Sequence, residues 1–219
     1  MSVFYQDNYI TIYHGDSLAI LPGLPAESFD AIITDPPYGT KTKPRGDRWM
    51  VGEFANIIPL VLPEMYRVGS ATCALYSFTS WTWMADWIMR CSPYFRMQNF
   101  IIWDKQRHSG RWTQYAWQFC WEGIYYGIKG PRDIREYQPD VVRTGEKTQY
   151  PMQKPVDIVS KFIRASTDEG QIILDPFTGT GGVLVAAKRL KRRAVGIEIE
   201  ESQAEIAANR VRQDMCFET

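Results

Sequence analysis

The chain has 219 residues, and its 25 basic and 25 acidic side chains give a formal net charge of +0. This length and a hydrophobic content of 45% are typical of one globular domain, which we expect over residues 1–219. No apolar run approaches the ~20 residues of a membrane span, and residues 1–4 lack the basic and apolar regions of a signal peptide, so neither a membrane protein nor a peptide-targeted one is predicted.

The first half of the chain is predicted to alternate between strands and helices. A loop rich in glycine, proline and basic residues, predicted to be mobile, interrupts it at residues 39–52. Trp81, Trp83 and Trp87 are expected to be core residues. From hydrophobic period and composition, the strands are residues 9–13, 31–34, 71–76, 99–103 and 122–128, and the helices are residues 17–21, 54–66 and 81–90.

The second half continues the alternation after an irregular stretch at residues 130–150. Pro155 is predicted to open a helix, and Ser202 with Glu205 forms the signature of a capping box at the start of the last helix. Strands alternating with helices predict an α/β fold with a mostly parallel sheet covered on both faces. The remaining predicted elements are strands at residues 171–174 and 194–199 and helices at residues 182–190 and 202–211.

The cysteines and histidines do not indicate a metal site. Cys73, Cys91, Cys120 and Cys216 are far apart, without the spacing of metal ligands. We therefore expect buried thiols in a reducing compartment and no bound metal.

A glycine-rich turn connects the predicted strand at residues 171–174 to the helix that follows it. The turn reads Asp175-Pro176-Phe177-Thr178-Gly179-Thr180-Gly181-Gly182. Its glycines let the backbone approach a ligand closely, and the helix amino terminus adds partial positive charge. Glu198, about 20 residues further on, is positioned to accept two ribose hydroxyls. A dinucleotide-dependent dehydrogenase would use the same features, so the turn alone indicates only a nucleotide site.

A second string, Asp35-Pro36-Pro37-Tyr38, directly follows the apolar strand at residues 31–34. The Asp35 carboxylate and the Pro36 carbonyl can each accept one N–H of an exocyclic amine on a nucleobase. Pro36 and Pro37 fix the backbone, and Tyr38 offers a ring face on which a base can stack. An ordinary turn is the alternative, because Asp-Pro-Pro is common turn chemistry. The buried strand before it and the aromatic residue after it favour the functional interpretation.

The two strings, in this order, resemble the DNA amino-methyltransferases of the permuted group whose catalytic motif precedes the cofactor motif. The resemblance covers roughly residues 10–211 and is weakest at residues 107–149. It implies a Rossmann-like fold that uses S-adenosylmethionine and needs no metal, and a target base flipped out of the DNA duplex. Asp-Pro-Pro-Tyr is commoner among adenine-N6 enzymes, so the resemblance favours that activity, with cytosine-N4 methylation as the alternative.

The resemblance also assigns residues to S-adenosylmethionine. Asp16 corresponds to a segment that contacts the adenine of the cofactor, although a plain helix cap is the alternative. Lys154 belongs to a motif that the family usually begins with His-Pro, where this chain has Tyr150-Pro151. The expected cofactor-binding residues are Asp16, Asp35, Lys154, Asp175, Phe177, Thr178, Gly179, Thr180, Gly181 and Glu198.

The expected partner is double-stranded DNA. Family enzymes carry a target-recognition region, and residues 107–149 are the only room for it in this chain. Trp112, Trp117 and Trp121 in that region could stack on or wedge beside bases, or could equally belong to the core. The resemblance alone suggests a homodimer, a cognate restriction endonuclease and the cytoplasm of a bacterial or virus-infected cell. Basic residues near the two predicted DNA-facing segments are expected to contact phosphates: Lys41, Lys43, Arg45, Arg48, Arg107 and Arg111.

Two other classes of function stay open at this stage. Related enzymes that act on RNA or on a protein glutamine usually carry Asn in place of Asp35. A binding module could also keep the cofactor fold without catalysis, although the intact Asp35, Tyr38 and glycine turn argue against it.

Overall fold

The computed structural model describes residues 2–37, 57–109, 117, 119–150 and 153–214, with only the backbone described at residues 107–109. Tyr38 and the predicted loop at residues 39–52 lie outside the described residues. None of the helices in the described ranges is long and apolar enough to cross a membrane.

A single sheet of nine strands organises the described part of the chain, in the order β1-β2-β9-β8-β3-β4-β6-β5-β7. Its five central strands, from β2 to β4, run parallel, whereas β1 and β6 pair antiparallel with their neighbours. The strands are β1 (Val3–Gln6), β2 (Ile10–His14), β3 (Phe29–Thr34), β4 (Gly69–Thr79), β5 (Arg96–Ser109), β6 (Phe119–Ile128), β7 (Val141–Val142), β8 (Ile172–Asp175) and β9 (Arg193–Glu198).

Helices cover both faces of the sheet, as the alternating pattern predicts. One core lies between the sheet and α4, α5 and α6, and the other lies beneath α2 and α3. The central strand β3 contributes to both cores because its alternate residues Ile32 and Ile33 point to opposite faces and are fully buried. The helices are α1 (Ser17–Ile20), α2 (Ile57–Val68), α3 (Met84–Cys91), α4 (Val156–Ser166), α5 (Gly182–Arg189) and α6 (Glu201–Gln213).

The parallel arrangement brings the carboxyl ends of β3, β8 and β9 to one edge of the sheet. Thr34 of β3 is level with Ser77 of β4, and Asp175 of β8 is level with Gly196 of β9. Residues that directly follow these strands therefore lie close together, at the edge where ligands bind in open α/β sheets.

Two predictions about the antiparallel half of the sheet were too short. β5 and β6 extend beyond residues 99–103 and 122–128 because they pair with each other from Arg96–Ile128 to Ser109–Phe119. The irregular stretch at residues 130–150 contains β7, which adds to the outer edge of β5. Strand β1 was not predicted.

The predicted capping box at Ser202 is wrong. Helix α6 begins at Glu201, its N-cap is Glu200, and the cap makes no side-chain hydrogen bond. The N–H of Glu200 instead donates to Oε1 of Glu198, at 2.9 Å. The strand before the helix thus supplies the acceptor that the capping box would have supplied.

The expected core tryptophans and thiols are only partly buried. Trp87 is fully buried, but Trp81 is 48% exposed because it lies in a short 3₁₀ turn, Trp81–Trp83, beyond the end of β4. Cys73 and Cys91 are buried, Cys120 is half-buried on β6, and Cys216 lies outside the described residues.

Candidate active site

A cavity of about 290 Å³ opens at the carboxyl edge of β3, β8 and β9. Eight of the ten predicted cofactor residues line it, whereas Asp16 and Gly181 do not. The lining residues from the prediction are Asp35, Lys154, Asp175, Phe177, Thr178, Gly179, Thr180 and Glu198. The prediction missed Thr34, Phe78, Gln153, Gly182, Val183 and Gln203, which complete the wall.

The glycine turn between β8 and α5 forms the floor of the cavity. Gly179 and Gly181 have φ angles of +51° and +80°, which residues with a Cβ rarely adopt. A Cβ on Gly181 would also lie 2.9 Å from the Cβ of Ala207 on α6. The glycine at this position therefore permits both the turn and the close packing of α5 against α6.

Glu198, at the end of β9, is bound to this turn. Its Oε2 accepts the Gly179 N–H at 2.7 Å, and its Oε1 accepts the Glu200 N–H at 2.9 Å. Burial raises the pKa of this carboxyl above its ordinary value, while the two backbone N–H groups oppose that effect. Each carboxylate oxygen has a further lone pair, so Glu198 can also accept hydroxyl groups of a ligand.

Asp175, at the end of β8, is almost completely buried, with 3% of its surface exposed. Its Oδ1 accepts the Phe177 N–H at 3.1 Å. Burial raises the pKa of Asp175 to about 7, and the nearby carboxyls of Asp35 and Glu198 add to this effect. The hydrogen bond to Phe177 makes Asp175 a structural support for the turn.

The side chain of Asp35 meets a lysine at the opposite wall of the cavity. Nζ of Lys154 lies 2.6 Å from Oδ2 of Asp35 and 3.2 Å from Oε2 of Glu122. It also lies 5.2 Å from the centre of the Phe78 ring. In the described part of the string, Asp35 lines the cavity, Pro36 is buried and Pro37 is half-buried.

Asp16 is observed as the helix cap that the sequence left open as an alternative. Its Oδ1 accepts the Leu18 N–H at 2.9 Å at the start of α1. The segment nevertheless lies beside the cavity, because the Gly15 N–H donates to the Glu198 carbonyl at 2.8 Å and the Ser17 hydroxyl donates to the Pro176 carbonyl.

All six predicted DNA-contacting side chains lie outside the described part of the chain. Lys41, Lys43, Arg45, Arg48 and Arg111 lie outside the described residues, and only the backbone of Arg107 is described. Exposed aromatic rings lie just after β4 and at or just before the start of β6. The Trp81 and Phe119 rings stack with centroids 5.6 Å apart, and Trp117 is 96% exposed.

No group of three or more His, Cys, Asp or Glu residues is arranged to hold a metal ion within the described ranges.

Comparison with known proteins gives a consistent result. The family model described as DNA methylase matches residues 106–209. The chain is 27% identical to the DNA adenine methyltransferase YhdJ of Escherichia coli K12, over 92% of this chain and 82% of that protein.

Two solved structures share the fold. The crystal structure of the M1.HpyAVI–SAM complex has a TM-score of 0.73 and 24% identity, and the match covers 92% of this chain and 99% of that chain. The cytosine-N4-specific PvuII DNA methyltransferase has a TM-score of 0.78 and 15% identity, covering 95% and 88% respectively. Both matches extend over more than nine-tenths of the chain.

Proposed function

We propose that the chain transfers a methyl group from S-adenosylmethionine to the exocyclic N6 amine of adenine in double-stranded DNA, as its similarity to DNA methylases indicates. The observation that carries this proposal is the Asp35 side chain, which faces the same cavity as the glycine turn and Glu198. An amine held by Asp35 would therefore lie beside a nucleotide-like ligand held by the turn.

The described residues fit S-adenosylmethionine. Its methionyl end carries a carboxylate, for which Lys154 supplies an ammonium in the cavity wall. Its ribose carries two hydroxyls, for which Glu198 has acceptor capacity. The cavity volume of about 290 Å³ is near the lower end of small-molecule sites.

When bound, S-adenosylmethionine supplies an electrophilic methyl group on a sulfonium. The remaining work falls to the protein. The lone pair of an exocyclic amine is conjugated into the base, so the amine is a poor nucleophile. Asp35 and the Pro36 carbonyl are proposed to accept its two N–H bonds, which favours a pyramidal nitrogen whose lone pair points at the cavity.

Positioning is the main contribution of this arrangement. Holding two reactants at attack distance removes much of the entropic part of the barrier. Asp35 need not act as a base in the transfer step, because the proton can leave after the methyl group has arrived. Tyr38 is proposed to stack on the flipped base.

The remaining assignments are also proposals. Residues 107–149 are proposed to read the DNA sequence, together with the basic loop at residues 41–48. The exposed rings of Trp81, Phe119 and Trp117 support a DNA-binding role for this side of the protein, because bases that leave the stack are commonly held on aromatic side chains. A homodimer, a cognate restriction endonuclease and a cytoplasmic location are proposed from family resemblance.

The test is a nucleoside digest of mixed-sequence duplex DNA, analysed by mass spectrometry after incubation with the protein and S-adenosylmethionine. We expect N6-methyladenine, and we expect Asp35→Ala to lower its yield by at least about 100-fold. The variant should still bind S-adenosylmethionine, since the glycine turn and Glu198 are intact. N4-methylcytosine would move the target to cytosine, and the absence of any methylated base would contradict the proposal.

A further inference from the structure

Four charged side chains of alternating sign form a continuous row that leads into the cavity. Lys105 of β5 is paired with Oε1 of Glu122 on β6. Oε2 of Glu122 lies 3.2 Å from Nζ of Lys154, which in turn lies 2.6 Å from Oδ2 of Asp35. The first two members come from strands that no sequence motif connects to the site.

The row is shielded from water most strongly at its centre. The side chain of Lys154 is 10% exposed and that of Glu122 is 19% exposed, whereas Lys105 is 26% exposed. Burial alone would raise the pKa of Glu122, but Lys154 and Lys105 hold it below its ordinary value. Glu122 is therefore a buried carboxylate that stays charged because it has two ammonium partners.

Lys154 forms ion pairs with two carboxylates, Asp35 and Glu122, and both determine the position of its ammonium group. A buried ammonium with one carboxylate partner would be drawn fully onto it, since a buried charge is costly unless it is paired. The carboxylate of Asp35 would then accept hydrogen bonds from Lys154 in place of the target amine. With Glu122 as the second partner, the lysine ammonium is shared between two carboxylates.

We infer that Glu122 is a positioning residue for methyl transfer, which holds Lys154 so that Asp35 keeps the orientation and acceptor capacity needed for the target amine. This inference rests on the proposed function. Lys105 is the outer support of Glu122, and it lies two residues before the proposed recognition segment at residues 107–149. The row thus joins the strand that leads into that segment to the carboxylate that contacts the amine.

The test compares steady-state methylation of duplex DNA by the full-length protein and its Glu122→Gln variant. Glu122→Gln preserves shape but removes the charge, so Lys154 loses one of its two carboxylate partners and Asp35 alone has to balance its charge. We expect kcat to fall about 10- to 100-fold, since a misplacement of about 1 Å can cost about 100-fold in rate. KM for DNA should change less than about threefold, because the Glu122 side chain is largely buried against Lys105 and Lys154 and is only 19% exposed.

Three further variants separate positioning from general damage. Glu122→Asp keeps the charge and should recover a large part of the lost kcat. Lys105→Met should lower kcat less than Glu122→Gln, and it keeps the proposal testable if Glu122→Gln does not fold. Glu64→Gln removes a different ion-paired glutamate, the partner of Arg67 on α2, and should retain full kcat.

The possible outcomes are distinct. If the wild-type protein methylates DNA and Glu122→Gln has an unchanged kcat, the positioning role is overturned but the proposed function is not. Equal losses in Glu122→Gln and Glu122→Asp would also overturn it, because charge would then not matter. A wild-type protein that methylates no DNA would overturn the proposed function, and with it any role of Glu122 in that reaction.

Discussion

Replacing Asp175 by asparagine should make the protein less sensitive to alkaline pH. Asp175 is buried below the cavity, and burial raises its pKa from 3.8 to about 7. Asparagine has the shape of the protonated acid, and its carbonyl oxygen can keep the hydrogen bond from the Phe177 N–H. The substitution therefore removes the ionisation while retaining the contact that supports the glycine turn.

The raised pKa of Asp175 makes the wild-type protein less stable as the pH increases. The folded chain binds this proton more tightly than the unfolded chain, so the stabilisation from the protonated group is fully present below pH 3.8 and is lost as the pH rises through about 7. The two pKa values correspond to a total loss of about 4 kcal/mol in the free energy of unfolding. About 2.5 kcal/mol of that loss should fall between pH 5 and pH 8.

Urea denaturation of both proteins at several pH values, at constant ionic strength and without S-adenosylmethionine, measures this loss. The free energy of unfolding of Asp175→Asn minus that of the wild type should increase by about 2.5 kcal/mol from pH 5 to pH 8. Asp133→Asn, at an exposed aspartate, should run parallel to the wild type. Parallel curves for Asp175→Asn as well would refute the link between burial and stability at this residue.

Two further predictions concern ligand binding. Neutralising Lys41, Lys43, Arg45 and Arg48 together should weaken DNA binding. The slope of log K against log salt, measured by filter binding, should fall by about 0.9 for each phosphate that the protein no longer neutralises. An unchanged slope would place the phosphate-binding residues elsewhere. Glu198→Gln should raise the Kd for S-adenosylmethionine about 10- to 100-fold in calorimetry, because hydrogen bonds to a charged acceptor contribute about 1.5–3 kcal/mol. Glu201→Gln, at the exposed start of α6, is its control, and an unaltered Kd for Glu198→Gln would argue against ribose binding there.

The βαβ unit around the glycine turn could be predicted closely from the sequence because its signals are local. The predicted strand at residues 171–174 differs from β8 (Ile172–Asp175) by one residue at each end, and the helix after it begins at the predicted Gly182. A turn that needs positive φ angles must contain glycines, and a buried parallel strand must be apolar. Both requirements can therefore be recognised from consecutive residues of the sequence.

The antiparallel half of the sheet was less predictable because its signals are not local. The length of β5 depends on its pairing with β6, a separate strand further along the chain, and the alternation of β5 itself does not reveal where that pairing ends. The capping box at Ser202 failed for a different reason. The acceptor for the N-cap N–H is the carboxylate of Glu198, two residues before Glu200, and the signature of Ser202 and Glu205 does not include that residue.

The need of Glu122 for a charged partner could have been predicted from the sequence. It is a charged residue within a strand of aromatic and aliphatic neighbours, and a charge in a buried strand requires a partner. The sequence therefore contains a sign that Glu122 needs a cation, but 25 basic residues could supply it. Only the antiparallel register of β5 and β6, together with the entry of the chain into α4, selects Lys105 and Lys154. Because Lys154 is one of the two partners, the charge on Glu122 is connected to Asp35 and to the proposed chemistry.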